Sequence, residues 1–499
     1  MRCLKCFCRS KAEKIQTIKE VLMKSSEDLV TSIGKELKEG TFTLSELCSL
    51  ADREGVVLST LVIAEAMVKE GKSRAQILKE AMDQFEHNLK ALDLGIKSGN
   101  SFLLGTVGSD LVNAKNRDTV ILDDVFLNRA VVYTLGTEVG NHEVGLRPCA
   151  GTGDSCPYTG LLRALQEENI GDDKVATAAA LILKIGSFFR AGKQTTGCNM
   201  EGFGAGAACT AAVIVDMKGG TGAQAAKAIV LALSPTIAVP CTPRVMVSGL
   251  CATHIGTSIL LGNLAAKLSL YTTMPMDVDV DVMLAMASRM HVEAAPAITK
   301  VNLAYMQPYF KKNRHVEEYV DEGVKRAEAE AVQKVVSQAR EEIRALASAG
   351  RPLTNCLGDV VVGGSSLAVG SPSNMSRICN ALITGKIRKI DIELTTDLFV
   401  RRAINSPSML MAAVFGAKTD DIGMYKTIMT RPEMKDIKVS ITEAKEPEVQ
   451  RIRITTDGQS AYIDARNRGG GRVHIVAAEP SVKAAKEAAA KLGVHISET

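Results

Sequence analysis

The chain has 499 residues, 46% of them apolar and 23% charged, with a formal net charge of +4 and no tryptophan. That length exceeds a single hydrophobic core and requires several domains, while the mixed charge signs exclude a general nucleic-acid or membrane-surface signature. Scarce aromatic residues argue against stacking on nucleobases, and the apolar run nearest to a membrane span, Ala205 to Val215, stops at Asp216 and Lys218.

The N-terminus, MRCLKCFCRS, is basic but leads into no apolar segment, so it does not read as a secretory signal. Twelve cysteines without the spacing of a small disulfide scaffold predict a reducing, cytoplasmic setting. Cys3, Cys6 and Cys8 form a CxxCxC cluster with no fourth ligand nearby, at a terminus where order is not expected. Residues 1–40 read as a helical extension. At Thr43-Leu44-Ser45-Glu46 a hydroxyl cap precedes Leu47, Leu50 and Ala51, which predicts a helix start, and Ser73 to Leu94 reads as a further helical stretch. Ser98 to Asp110, SGNSFLLGTVGSD, reads as a glycine-punctuated loop.

From Asp123 to about Met290, Ala-, Leu- and Val-rich segments alternate with glycine-rich turns. Ala176 to Phe189, Gly206 to Val215, Gly222 to Leu233 and Gly256 to Leu268 predict buried helices, several of them apolar all round. The turns between them, Cys149 to Gly160, Gly192 to Gly202 and Cys241 to Cys251, gather polar residues that point to a common pocket. Residues 41–295 therefore form one helical domain. His315 to Ala349 is a charge-mixed helix, and 296–352 reads as a connector. Beyond it, 353–499 changes to short β-branched runs at Val360 to Val362, Ile387 to Leu394, Ile437 to Ile441, Val449 to Thr455 and Arg472 to Ala477. Helical stretches near Ser406 to Gly416 and Val482 to Leu492 intervene. The expected fold class is multidomain: a mainly α-helical domain followed by a smaller α/β domain.

Three cysteines carry the chemistry. Cys198 lies in GCNMEG, Cys241 in VPCTPR and Cys251 in SGLC, none in a CxxC pair and each in a turn between apolar segments. By spacing alone they read first as core thiols and second as ligands. Three thiolates converging from separate loops would hold an iron–sulfur cluster and leave one iron open to substrate.

These motifs resemble the iron–sulfur-dependent L-serine ammonia-lyases. The family's α-chain has GCQAE and then CDPVAGLVEVPC, with a last spacing one residue longer than the ten positions from Cys241 to Cys251. LLGTVGSD (Leu103 to Asp110) is similar to the family's SLTGGD, NHEVG (Asn141 to Gly145) to N-x-x-x-G, and PCAGTGDSC (Pro148 to Cys156) to PTAGSCG. Thr43 to Ala66 resembles its N-terminal helices. The second domain resembles the β-chain through Val360 to Ser366, Lys386 to Leu394, Ala412 to Asp421 and Arg466 to Ile475. Where the β-chain has G-P-S-S-S-H-T, this chain has Gly363-Gly364-Ser365-Ser366-Leu367-Ala368-Val369, so the His and Thr of that substrate site are missing.

The resemblance implies a [4Fe–4S] cluster on Cys198, Cys241 and Cys251, a small-molecule substrate, no nucleic-acid or membrane partner, and a homodimer. It implies a lyase that removes water, with or without ammonia, from a small hydroxy or amino acid such as L-serine. A cysteine desulfidase-like lyase and a non-catalytic cluster or ligand sensor are the alternatives. Catalytic candidates are His254, His142 and Glu201. Substrate-binding candidates are Thr106, Ser109, Asn141, Gly151, Thr152, Ser155, Arg244, Ser365 and Ser366. Gly151, Thr152 and Ser155 would offer backbone amides and hydroxyls to a carboxylate, and Arg244 a bidentate guanidinium. Cys356 reads as a remote further ligand, and Cys149 and Cys156 as small buried thiols.

Overall fold

The structure is a computed structural model that describes residues 24–147, 155–190, 203–237, 248–306, 309, 312–348, 360–362, 370–468 and 471–498. The chain divides into two compact units, Met1–Arg340 and Glu341–Thr499. The first is helical and the second is a smaller α/β unit, which is the fold class the sequence predicts. No helix among the described residues is long and apolar enough to cross a membrane.

The first unit begins with α1 (Ser26–Glu39), α2 (Leu44–Glu54), α3 (Leu58–Glu70), α4 (Arg74–Asp83) and α5 (Glu86–Lys97). Thr43 caps α2 as its sequence predicts: Glu46 N–H donates to Thr43 Oγ1 (3.3 Å) and Thr43 N–H to the Glu46 carboxylate (2.8 Å). Ser73 to Leu94 is two helices rather than one, because fully buried Phe85 sits at the break and turns the chain into the core. The expected loop through Asp110 contains a short helix, α6 (Val107–Val112). Gly108 is not a turn residue here; a Cβ on it would overlap the Gly95 backbone, so its glycine permits close helix packing.

The centre of the unit is α7 (Val125–Val144), apolar on nearly every face and packed against α5, α6 and α8 (Cys156–Glu167). Helices α5 and α7 cross at a seam of small residues. A Cβ on Gly95 would overlap the carbonyl oxygen of Gly136, and one on Gly140 would overlap that of Ala91. This seam sets the height and rotation of the last two turns of α7, which carry the candidate site. Around it lie α9 (Asp172–Arg190), α10 (Gly206–Met217), α11 (Gly222–Leu233) and α12 (Ser248–Tyr271), the last longer than the predicted Gly256 to Leu268. The core joins Leu47, Leu61, Leu135, Tyr158, Ile182, Val213, Ile229 and Ile259. The helix α13 (Val280–Met306) runs through Pro296, and the expected polar helix from His315 is divided into α14 (Arg314–Glu317) and α15 (Glu322–Ser348). Asp321 causes the division by accepting the amides of Gly323 (2.8 Å) and Val324 (3.3 Å) at a new helix start.

The second unit has a five-stranded mixed sheet in the order β2-β1-β3-β4-β5, built from β1 (Ile387–Leu394), β2 (Lys438–Glu443), β3 (Gln450–Thr456), β4 (Ser460–Asn467) and β5 (Val473–Glu479). The pair β1–β2 is parallel and the rest are antiparallel. Ile390 and Ile392 on β1 and Ile452 and Ile454 on β3 alternate inward into one core with α16 (Gly370–Ala381), which packs against β3, β4 and α18 (Arg402–Phe415). Between β1 and α18 lies the short α17 (Thr396–Val400). After α18 comes α19 (Ile422–Thr427), and α20 (Val482–Lys491) closes on β5. One expectation needs correction, and one strand was not expected. Val360 to Val362 is not a sheet strand; it is held through Val362 N–H to Thr419 O (2.7 Å) and Thr419 Oγ1 to Val360 O (2.8 Å). The strand β4 carries no expectation, because Asp464 and Arg466 interrupt its small apolar residues.

The α5–α7 seam predicts that Gly140→Ala destabilises the protein by about 2–4 kcal/mol through overpacking against backbone. Gly55→Ala, at a left-handed helix end with open space around it, should lose only the smaller conformational strain of its positive φ. Urea unfolding of both variants measures the difference.

Candidate active site

The last turns of α7 place a carboxylate, an amide and an imidazole together. Glu138 is 1% exposed, a position that an ionised group occupies only when its oxygens are matched. Its Oε1 lies 3.1 Å from His142 Nε2. Its Oε2 accepts from Cys156 Sγ (2.8 Å) at the start of α8 and from Asn141 Nδ2 (3.1 Å). His142 follows Glu138 by one helical turn, which is why both side chains meet on one face.

The other ring nitrogen, Nδ1, is 2.6 Å from Ser101 Oγ. A carboxylate only accepts, so Nε2 carries the hydrogen toward Glu138 in the neutral ring, and Nδ1 presents its lone pair to the Ser101 hydroxyl. Ser101, itself buried, also accepts the backbone amides of Leu103 (3.1 Å) and Leu104 (3.0 Å). The result is a Ser–His–Glu chain in which hydroxyl, imidazole and buried carboxylate are joined in sequence, the arrangement that orients a histidine for proton transfer. The segment holding Ser101 is fixed by the Ser101–Gly105 bridge and by Asn100 N–H donating to the Glu143 carboxylate.

Fully buried Asn88 pins the chain leaving α7: it donates to Arg147 O (3.1 Å) and accepts from Arg147 N–H (2.8 Å). Ser155 Oγ donates to the same Arg147 carbonyl (3.2 Å), so the residues flanking 148–154 are tied together. Thr106 is exposed and donates to Asp110 (3.0 Å), and Ser109 donates to Thr106 O (3.0 Å); both shape the start of α6.

His254 stands on α12, its ring 4.6 Å from that of Phe203. Its Nε2 is buried and has no hydrogen-bond partner among the described residues, and burial lowers its pKa to about 4. The adjacent Ile255 packs against Cys156, with Leu104 and Leu146 around them. His142 is linked to Cys156 through Glu138, and the chain neighbour of His254, Ile255, packs on Cys156 from α12.

Among the sequence-predicted residues, the structure brings Asn141 and His142 together around Glu138, places Ser155 at the tied loop, and puts His254 on α12 against Phe203. Thr106 and Ser109 lie at the neighbouring α6. Glu201, Gly151, Thr152, Arg244, Ser365, Ser366, Cys198 and Cys241 lie outside the described residues, as do Cys3, Cys6, Cys8, Cys149 and Cys356. Cys251 is in the first turn of α12. Sequence reasoning missed Glu138 and Ser101. The available signal was a lone acidic residue in the apolar run VVYTLGTEVGN, four positions before a histidine.

Among the described residues no three His, Cys, Asp or Glu side chains are arranged to hold a metal ion. Three thiolates, the set expected from Cys198, Cys241 and Cys251, are soft donors of the kind that iron–sulfur clusters take. One observation fits such a group: the orphaned His254 Nε2 belongs to α12, the helix whose first turn contains Cys251.

No protein-family model matches the chain. It is 26% identical over 213 residues to a protein of Bacillus subtilis described as a probable L-serine dehydratase, alpha chain; the match covers 40% of this chain and 69% of that protein.

Because the fold holds His254 neutral, the unfolded chain takes up a proton near pH 6.5 that the folded chain refuses until about pH 4. His254 thus removes stability as pH falls through that window. Urea unfolding at pH 7 and pH 5 should show a loss of the order of 1 kcal/mol from this group. In His254→Asn the loss should be smaller by that amount; an identical pH dependence would contradict the assignment.

Proposed function

We propose that the chain is an iron–sulfur-dependent lyase that eliminates water, followed by loss of ammonia, from a small β-hydroxy amino acid of the L-serine class. The observation that carries this reading is the Ser101–His142–Glu138 chain on α7, a helix that packs against α12, whose first turn contains Cys251. The similarity to a probable L-serine dehydratase alpha chain supports it. Cys198, Cys241 and Cys251 would hold the cluster, which when bound supplies a Lewis-acidic iron to the leaving hydroxyl.

The protein's own side chains handle the proton. Elimination removes a hydrogen from the carbon beside the carboxylate, and His142 Nδ1, the ring's lone pair, receives it with Ser101 as the hydroxyl that relays it. Glu138 is the positioning residue: it holds Nε2–H and stabilises the imidazolium, and Cys156 and Asn141 fix its second oxygen. His254, neutral at working pH, contributes a hydrogen bond from Nε2 to a ligand rather than acting as the base. The resulting enamine tautomerises and hydrolyses in water to a 2-oxo acid and ammonia. The missing His and Thr after Ser366 leave the choice of substrate to residues of the helical unit, so cysteine, with sulfide as leaving group, is the second substrate to assay.

Anaerobic reconstitution with iron and sulfide should give a brown protein that releases ammonia and a 2-oxo acid from L-serine, and Cys198→Ala should lose both colour and turnover. His142→Asn should keep the colour and lower kcat by about 10²–10⁴-fold with a smaller change in KM. A colourless product, or full activity in His142→Asn, would contradict the proposal; sulfide release from cysteine with no turnover of serine would reassign the substrate.

A further inference from the structure

A second polar cluster lies away from this site, where α3, α4 and α9 enclose a cavity of about 400 Å³. Glu65 on α3 is 3% exposed, and each of its oxygens meets a lysine: Lys69 at 2.8 Å and Lys184 of α9 at 2.6 Å. All three line the cavity. Only the carboxylate is buried, while Lys69 and Lys184 remain partly exposed, and a buried carboxylate paired in this way gives no more stability than apolar packing of the same volume. Two ammonium groups against one carboxylate leave one positive charge uncompensated.

The same cavity is lined by Glu70 and Glu80, which share Lys72 behind them (2.8 and 2.7 Å). Two carboxylates against one ammonium leave one negative charge uncompensated. The rest of the lining is largely apolar and includes Ile63, Ile77 and Leu183. Opposite residual charges over a hydrocarbon surface match a molecule with a carboxylate, an ammonium and an apolar side chain. A cavity of this size is at the lower end of the roughly 300–1,000 Å³ that small-ligand sites occupy.

We infer that this cavity is a binding site for a free apolar α-amino acid, its carboxylate at Lys69 and Lys184, its ammonium at Glu70 and Glu80, and its side chain on the Ile63–Ile77–Leu183 wall. A simple anion satisfies only the first group and a simple amine only the second. The site does not depend on the lyase reading, and its test needs neither cluster nor turnover.

Isothermal titration of the full chain with L-leucine at millimolar concentrations is the test, with 4-methylpentanoate and 3-methylbutylamine as the half-molecules. L-Leucine should bind one per chain and raise the melting temperature, and each half-molecule should bind at least about tenfold more weakly, the loss of one charge contact. Lys184→Met should abolish binding. Glu80→Gln, a surface change that leaves the Glu65 ion pairs intact, should weaken it about tenfold. No heat or thermal shift with L-leucine would overturn the inference. So would equal binding of either half-molecule, or binding unchanged in both variants.

Discussion

The helical unit's candidate chemistry depends on one buried carboxylate. Glu138 is buried within the central helix of the unit, where an ionised side chain without partners would be strongly unfavourable. Its two oxygens are matched by an imidazole, a thiol and an amide drawn from α7 and the start of α8. Those bonds fix which ring nitrogen of His142 carries hydrogen, and that choice in turn directs Ser101. A change in the rotation of α7 by part of a turn would break all of them together. The glycine seam with α5 therefore belongs to the site as much as the polar residues do.

Much of the fold was legible from pattern alone. The capping box at Thr43 and the apolar helices α10 and α11 follow from local sequence, as do the alternating strands β1 and β3. What escaped were features decided by partners distant in sequence. Gly108 looked like a loop glycine and proved to be a packing glycine, since only Gly95, on another helix, reveals the difference. The strand β4 hides its alternation because Asp464 is taken up by Arg451 of the neighbouring strand in a two-pronged ion pair (2.6 Å for both bonds). Val360 to Val362 is apolar enough for a strand, yet its described bonds go to Thr419 and not to the sheet.

The site divides the same way. His142, Asn141 and His254 could be named from motif position, but their roles could not. His254 follows a predicted ligand cysteine and so looks like a base, whereas burial makes it a poor proton acceptor. His142 looked the weaker candidate and is the one with an orienting carboxylate. Ser101 gave no signal, because its importance comes from 41 positions of intervening chain folding back onto α7. The opposite case is Glu65, a second acid in an apolar helix, whose two lysines line a cavity and assign it to ligand binding rather than to proton transfer.

The central claim is that Glu138 and His142 act as one coupled unit in the folded protein. A double-mutant cycle on unfolding free energy at neutral pH, using Glu138→Gln, His142→Asn and the pair, measures that coupling without requiring activity. The account predicts a double variant that falls short of the sum of the single losses by about 1–3 kcal/mol, as expected for residues in one buried hydrogen-bonded network. Losses that add to within about 0.3 kcal/mol would show two independent side chains and contradict it.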